Sequence, residues 1–239
     1  MDRPENTVAA IERAIEAGAT AVEVDVRTTR DGQLVIMHDA TVDRTTDGAG
    51  KVSDLTAAEI SKLDAGIWFP RPRAGHFRGQ RVLSLREVLE RCGDRVDVVL
   101  DLKETDEVYA ERVAAAVKQH GRPERTILGL RSAKQAKAFR RLLPGARQLA
   151  FIPKATDVEA FLAAEVDAIR LWPEWINAQP ELADVIRGGG ALLHINAATG
   201  TMQEIVPLLA YRPDSLLCDD PGQLVATLDE LKRGAERVD

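Results

Sequence analysis

The sequence predicts an α/β protein of the (β/α)8 barrel type, and three observations carry that prediction. Strand-like and helix-like stretches alternate along most of the chain, the pattern of a parallel sheet covered by helices. Polar residues gather at the C-terminal ends of the strand-like stretches: Glu23 and Asp25, His38, Asp101 and Lys103, Arg170, Asn196 and Asp219. In a (β/α)8 barrel that rim carries the chemistry. No glycine-rich turn follows the first strand, which counts against the rival, an open doubly wound sheet.

The elements follow in order. Asn6 can cap a helix whose apolar positions Val8, Ile11 and Ile15 recur at helical spacing, and Gly18 ends it. Residues 21–26 alternate around β-branched valines and read as a strand, 34–37 as a second short one after the turn signal Asp31-Gly32. Residues 39–95 break the rhythm. They hold Asp47-Gly48-Ala49-Gly50, a helix opened by Thr56-x-x-Glu59, a Gly/Pro/Arg-rich loop at 65–81 and a helix opened by Ser84-x-x-Glu87. Trp68, Phe69, His76 and Phe77 lie in that loop, which suits a functional lid or small subdomain better than a connector. The alternation then becomes regular. Strands at 96–103, 126–130, 148–152, 168–172, 191–196 and 215–218 precede six helices. These run from Asp106, from Ser132-x-x-Gln135, from Thr156-x-x-Glu159, near Pro180, from Thr201-x-x-Glu204, and from the Asp220-Pro221 cap. Seven helix-linked strands result, and the chain reads as a single domain over 1–239.

Composition narrows the partners. A hydrophobic fraction of 45% is that of an ordinary globular protein, and a net charge of −6 argues against nucleic acid. Two distant cysteines make neither a disulfide framework nor a CxxC metal site. No apolar run reaches the ~18 residues of a membrane span, and no secretory leader is visible, so a cytoplasmic location is expected.

Glu23 and Asp25 share one face of their strand, because side chains alternate with period 2. Carboxylates some 6–7 Å apart repel, more so when buried. Either that face is wet, as on an edge strand, or a cation sits on it. Asp101 and Lys103 share a face of another strand in the same way. Three carboxylates with a lysine suit a hard, oxygen-seeking cation such as Mg²⁺ or Ca²⁺.

Pro4-Glu5-Asn6-Thr7, Gly18-Ala19, Glu23-Val24-Asp25-Val26, Thr29-x-Asp31-Gly32, His38-Asp39, Arg44-Thr45-Thr46, Gly50-x-Val52, Leu85, Asp101-Leu102-Lys103, Asn196 and Cys218-Asp219-Asp220-Pro221 together resemble the glycerophosphodiester phosphodiesterases. The resemblance spans the chain and is motif-specific in its N-terminal third. It implies a TIM barrel with a small insertion after the second strand, here 39–95. It implies Glu23, Asp25 and Asp101 as ligands of one divalent cation, His38 as one of two catalytic histidines, and Lys103 as the cation that neutralises the phosphate. The implied reaction is hydrolysis of a small-molecule glycerophosphodiester to glycerol 3-phosphate and an alcohol.

Two departures stand out. The family carries His-Arg-Gly on a first strand ahead of Pro-Glu-Asn-Thr, whereas only Met1-Asp2-Arg3 precede Pro4. The expectation is a barrel lacking its first strand, one histidine and one arginine, with low stability or a second copy of the chain covering the opening. A catalytically impaired barrel that binds phosphodiesters or a partner protein is the alternative function; a phospholipase-D-like relative is a third, disfavoured by the lack of a basic amphipathic face. The second departure is Leu192-Leu193-His194-Ile195-Asn196, which lacks a late tryptophan the family often has. His194 points into the barrel if Asn196 does, and onto the helices if Leu193 and Ile195 point in. His76 and His120 read as surface residues; Trp172 and Trp175 could wall the site but suit packing or surface positions better.

Overall fold

The computed structural model describes residues 2–69 and 77–235. Eight strands form one sheet in the order β2-β1-β3-β4-β5-β6-β7-β8. They are β1 (Ala21–Thr28), β2 (Leu34–Ile36), β3 (Asp97–Leu102), β4 (Thr126–Leu130), β5 (Arg147–Ala150), β6 (Ala168–Leu171), β7 (Leu192–Asn196) and β8 (Ser215–Leu217). All pairings are parallel except β1 with β2, which is antiparallel. The parallel strands are those that helices connect. The helices are α1 (Val8–Glu16), α2 (Ala57–Ile60), α3 (Leu85–Cys92), α4 (Glu107–His120), α5 (Ala133–Leu142), α6 (Val158–Leu162), α7 (Pro173–Ala178), α8 (Leu182–Gly188), α9 (Met202–Leu209) and α10 (Pro221–Ala235). Among the described residues no helix is long and apolar enough to cross a membrane.

The alternation of side chains decides what lies on each face. Val22, Val24, Val26, Val98, Leu100, Leu102, Leu128, Leu130, Ile169, Leu171, Leu193 and Ile195 pack outward against the helices in the main core. The intervening residues face inward, and they include a small second cluster of Val99, Leu149 and Phe151. Gly129 is required there: a Cβ on it would stand 2.9 Å from the Phe151 ring and 3.1 Å from the Leu100 carbonyl oxygen. Tyr109 of α4 is buried and donates from its hydroxyl to the Val26 carbonyl at 2.8 Å, which fixes that helix at the C-terminal end of β1.

The helix starts follow local chemistry with some corrections. Thr56 and Ser84 form complete capping boxes with Glu59 and Glu87. Thr7, not Asn6, caps α1, accepting from the Ala10 N–H; Asn6 has φ 57° and its side chain is used elsewhere. Ser132 caps α5, but Gln135 reaches back to the Arg131 N–H rather than to Ser132. The expected box at Thr156 does not form, because a 3-10 turn at Ala155–Asp157 leads into α6. Thr201 makes no side-chain cap; Glu204 instead binds the N–H groups of Ala198, Thr199 and Gly200 in the preceding loop. The single helix expected near Pro180 is two helices, because Pro173 starts α7 directly after β6.

The segment between β2 and β3 packs its own apolar cluster, in which Val42, Val52 and Ile60 join Val35 and Met37. Trp68 donates to the Ala65 carbonyl at 2.9 Å, and Trp68, Phe69 and Phe77 meet edge to face. His76 lies outside the described residues.

Between β1 and β8 the sheet is open among the described residues. Thr20 O accepts from Asp97 N and Val26 O from Lys103 N, so the even-numbered residues of β1 bond β3. The backbone groups of Ala21 and Glu23 therefore face the opening. Leu217 O accepts from Ala197 N, so Leu216 faces it from the other side. A cavity of about 910 Å³ fills the space, lined by Ala10 and Ala14 of α1, Glu23, Asp25, Leu216 and Leu224 among others.

Candidate active site

Glu23 and Asp25 stand on β1 and Asp101 on β3, where Asp25 and Asp101 are register partners. One carboxylate oxygen from each lies within 4.8 Å of the others. The two aspartates are buried and Glu23 is half-buried. Burial, followed by the negative charges of Asp25 and Asp101, pushes the Glu23 carboxyl well above the usual carboxylate range. Three oxygen donors that repel one another and lose water are matched to a hard cation, so this group could hold a divalent metal. The wet-face alternative does not apply to the aspartates, which are buried on an inward-turned face, although the second side of β1 is paired with β2 only at Val26, Arg27 and Thr28.

Cations already surround the triad. Lys103 Nζ lies 2.7 Å from Asp25 Oδ1 and 2.5 Å from Asp101 Oδ2, with only 8% of its side chain exposed. Arg131 donates from Nη2 to both Asp101 oxygens at 2.6 Å and from Nε to the Leu102 carbonyl at 3.3 Å. Asn6 donates from Nδ2 to Asp25 Oδ2 at 2.7 Å. The sequence pattern gives neither Arg131 nor Asn6 a site role. Arg131 follows directly on β4, the same strand-end position that singled out Lys103 and Arg170, and that was the available signal.

His38 sits just past β2 with its side chain 55% exposed, so it is not a core histidine. Its Nδ1 is 2.8 Å from Asp39 Oδ1. Asp39 receives Arg44 Nε at 2.7 Å, and Arg44 in turn donates to both oxygens of Glu5 at 2.7 and 2.9 Å. Arg44 holds the Asp39 carboxyl well below its usual range, with His38 assisting. An ionised carboxylate can only accept, so the His38 proton is placed on Nδ1 and Nε2 is left available. His38 and Arg44 line the same cavity as Glu23 and Asp25. The Arg44 guanidinium also lies 5.9 Å from the Trp68 ring centre, which ties the aromatic loop to this chain of contacts.

The far wall is built by β6 and β7. Arg170 and His194 are register partners, and Asn196 is two residues on along the same face. His194 is 7% exposed and faces the cavity; its Nδ1 is 2.7 Å from Ser215 Oγ. The inward alternative for His194 therefore holds. Burial, with Arg170 nearby, lowers its pKa to about 4. Trp172 also turns inward, its ring centre 4.6 Å from the Arg170 guanidinium, whereas Trp175 packs against the main core. His120 is off the site, paired with Glu90 at 3.1 Å.

The model of the glycerophosphoryl diester phosphodiesterase family matches residues 1–162. A glycerophosphodiester phosphodiesterase of Caldanaerobacter subterraneus subsp. tengcongensis is 34% identical over 93% of this chain and 91% of its own. The crystal structure of a glycerophosphodiester phosphodiesterase from Agrobacterium tumefaciens superposes with a TM-score of 0.80 at 29% identity, covering 94% of both chains. An Oleispira antarctica phosphodiesterase, solved in complex with the product sn-glycerol-3-phosphate, shares the fold with a TM-score of 0.85 at 22% identity, over 95% of this chain and 92% of its own. With the family matched over well more than half its length and a relative aligned nearly end to end, this chain belongs to the glycerophosphoryl diester phosphodiesterase family.

Proposed function

We propose that this chain hydrolyses a glycerophosphodiester to glycerol 3-phosphate and an alcohol, using one divalent cation, Mg²⁺ or Ca²⁺, held by Glu23, Asp25 and Asp101. The observation that carries the reading is the convergence of the three carboxylates within 4.8 Å, two of which, Glu23 and Asp25, line a cavity that His38 also lines. A cation there supplies Lewis-acid stabilisation of negative charge on the phosphoryl oxygens. Lys103, buried beside Asp25 and Asp101, holds a fixed positive charge for the same developing charge. His38 moves the proton through Nε2, with Asp39, Arg44 and Glu5 holding the ring. The reading treats 1–239 as one TIM-barrel domain in which β1 is the second barrel strand, 39–95 is an insertion after it, and the opening between β1 and β8 is the place of the first. It also includes a cytoplasmic location, which cell fractionation would check.

The test is release of glycerol 3-phosphate from glycerophosphocholine or glycerophosphoethanolamine with Mg²⁺ or Ca²⁺. Activity should vanish with chelator and in Asp25→Ala, and calorimetry should show one cation site in the parent and none in that variant. Unchanged cation binding by Asp25→Ala would remove the triad from the role.

The open sheet supports a second reading, a barrel that binds phosphodiesters but turns them over slowly, since of the two histidines that line the cavity among the described residues only His38 is exposed and His194 is buried. Family-level turnover by the 239-residue chain would exclude it.

A further inference from the structure

His38 lies just past the end of β2, a strand of three residues, with most of its side chain in solvent. Neither core packing nor a long strand ladder fixes it, yet proton transfer needs its ring held close to the productive geometry. Two sets of bonds converge on it. The first grips its backbone from β1. Arg27 stands on the same strand face as Glu23 and Asp25 by the period of two. It donates to the His38 carbonyl from Nε at 3.1 Å and from Nη2 at 2.7 Å. One residue earlier, the Met37 N–H donates to the Asp25 carbonyl at 2.9 Å. The strand that carries two of the three carboxylates thus holds the main chain on either side of His38. Among the described residues Arg27 forms no ion pair, so both donors serve a neutral oxygen.

The second set holds the ring from the N-terminal turn. His38 Nδ1, Asp39, Arg44 and Glu5 form one chain of bonds, in which the Arg44 fork reaches both oxygens of both carboxylates. Paired, charge-assisted bonds in a network fix geometry that a single surface ion pair does not. Glu5 is followed directly by Asn6, whose side chain holds Asp25 at 2.7 Å. Thr7 closes the turn beneath them: its buried hydroxyl donates to the Pro4 carbonyl at 2.8 Å. Two adjacent residues of one closed turn therefore hold the histidine end and the carboxylate end of the site.

We propose that Arg27 and Glu5 are positioning residues for His38. Arg27 sets its backbone, Glu5 sets its ring through Arg44 and Asp39, and the Glu5-Asn6 step couples that ring to the Asp25 carboxylate. The proposal rests on the phosphodiesterase reading for the reaction, and its test is read without substrate as well as with it.

The position of the ring proton is read by NMR from the histidine ring nitrogens, with chelator present and at alkaline pH, where free imidazole is neutral. The chain has four histidines, and His38→Ala identifies the signals of His38. The parent should carry the His38 proton on Nδ1. Glu5→Ala and Arg27→Gln should each raise the share with the proton on Nε2, and Arg27→Lys, which keeps a donor for the carbonyl, should restore part of the parent signal. Calorimetry should show Mg²⁺ or Ca²⁺ bound at least ~3-fold more weakly by Glu5→Ala, although Glu5 bonds none of the three carboxylates; that is the scale of coupling within one bonded network. On glycerophosphocholine, Arg27→Gln should lower kcat by at least ~10-fold and keep KM within ~2-fold, since it orients a group that acts in the transition state. Both variants should melt within ~2 °C of the parent, the usual effect of substituting a partly exposed residue. A lowered melting temperature with an unchanged ring proton makes these bonds structural only and overturns the proposal. So does an unchanged ring proton in both variants, or an unchanged cation affinity in Glu5→Ala. A parent that hydrolyses nothing counts against the phosphodiesterase reading, while the ring proton and the cation affinity still decide the positioning.

Discussion

Asn6 holds Asp25 from two directions: its Nδ2 donates to Asp25 Oδ2 at 2.7 Å, and its Oδ1 accepts from the Asp25 backbone N–H at 3.3 Å. The second bond satisfies a backbone donor on the side of β1 away from β3, while the first fixes the carboxylate. The left-handed backbone at Asn6, φ 57°, is what turns the side chain away from the helix it precedes and toward the strand.

Asn6→Ala should therefore weaken Mg²⁺ or Ca²⁺ binding by ~10–100-fold, the usual effect of removing a residue that orients a metal ligand. Calorimetric titration checks this. Asn6→Gly keeps the backbone free to adopt positive φ and should lose as much affinity, because the loss belongs to the side chain.

Placing a strand between β1 and β8 should stabilise the protein. Unpaired strand edges are a pairing and aggregation hazard. An N-terminal extension that carries an apolar strand ending in His-Arg-Gly should raise the melting temperature by roughly 2–4 °C for each kcal/mol gained, at this chain length. It should also raise turnover by at least ~10²-fold, the effect of completing a general acid–base pair, and His38→Ala should abolish that gain. Size-exclusion chromatography of the parent tests whether a second copy covers the opening instead. A monomeric parent that melts no lower than the extended chain would contradict the expectation.

His194 should make stability depend on pH. Its pKa falls from the ordinary 6.5 to about 4 in the folded protein. Between those values the unfolded chain binds more protons, so the contribution is fully present above pH 6.5 and is lost as pH falls toward 4. The full span corresponds to ~3 kcal/mol. The charged or titratable groups around it are few, Arg170 being the one that lowers it further. Denaturant unfolding between pH 4 and 7 should show a steeper decline for the parent than for His194→Gln. Equal slopes would show that the ring is more open to water than its burial implies.

The acidic triad was legible in the sequence because strand periodicity alone puts Glu23 with Asp25 and Asp101 with Lys103. Parallel register then brings the two pairs level, and Asp25 faces Asp101. Its position after a strand places His38 at the polar rim, while the role expected of it comes from the family resemblance. The inward turn of His194 was not, since an isolated histidine between apolar residues fits either face; the Ser215 contact and the burial of Ile195 against the helices decide it. The sequence does not separate Asn6 from Thr7 as the cap of α1, because Asn and Thr are both good caps and only the backbone angle separates them. Arg131 carries no sequence signal beyond its strand-end position, because a long flexible side chain there gives no hint of the carboxylate it will find. The box at Thr156 failed for a local reason, a tight turn that takes over the start of α6.

Among the described residues Phe151 is the ring that both Arg131 and Arg170 lie against, at 5.9 and 3.9 Å from its centre. Gly129, with no side chain, gives that ring its space. The two guanidiniums are thereby coupled through a shared support although they do not bond each other. Their substitutions should not be additive: the double variant of Arg131 and Arg170 should differ from the sum of the single variants by ~0.5 kcal/mol or more in stability. Gly129→Ala, which touches neither arginine, should disturb both at once by displacing the ring, so one backbone position sets the alignment of two cations carried by β4 and β6, the strands on either side of β5.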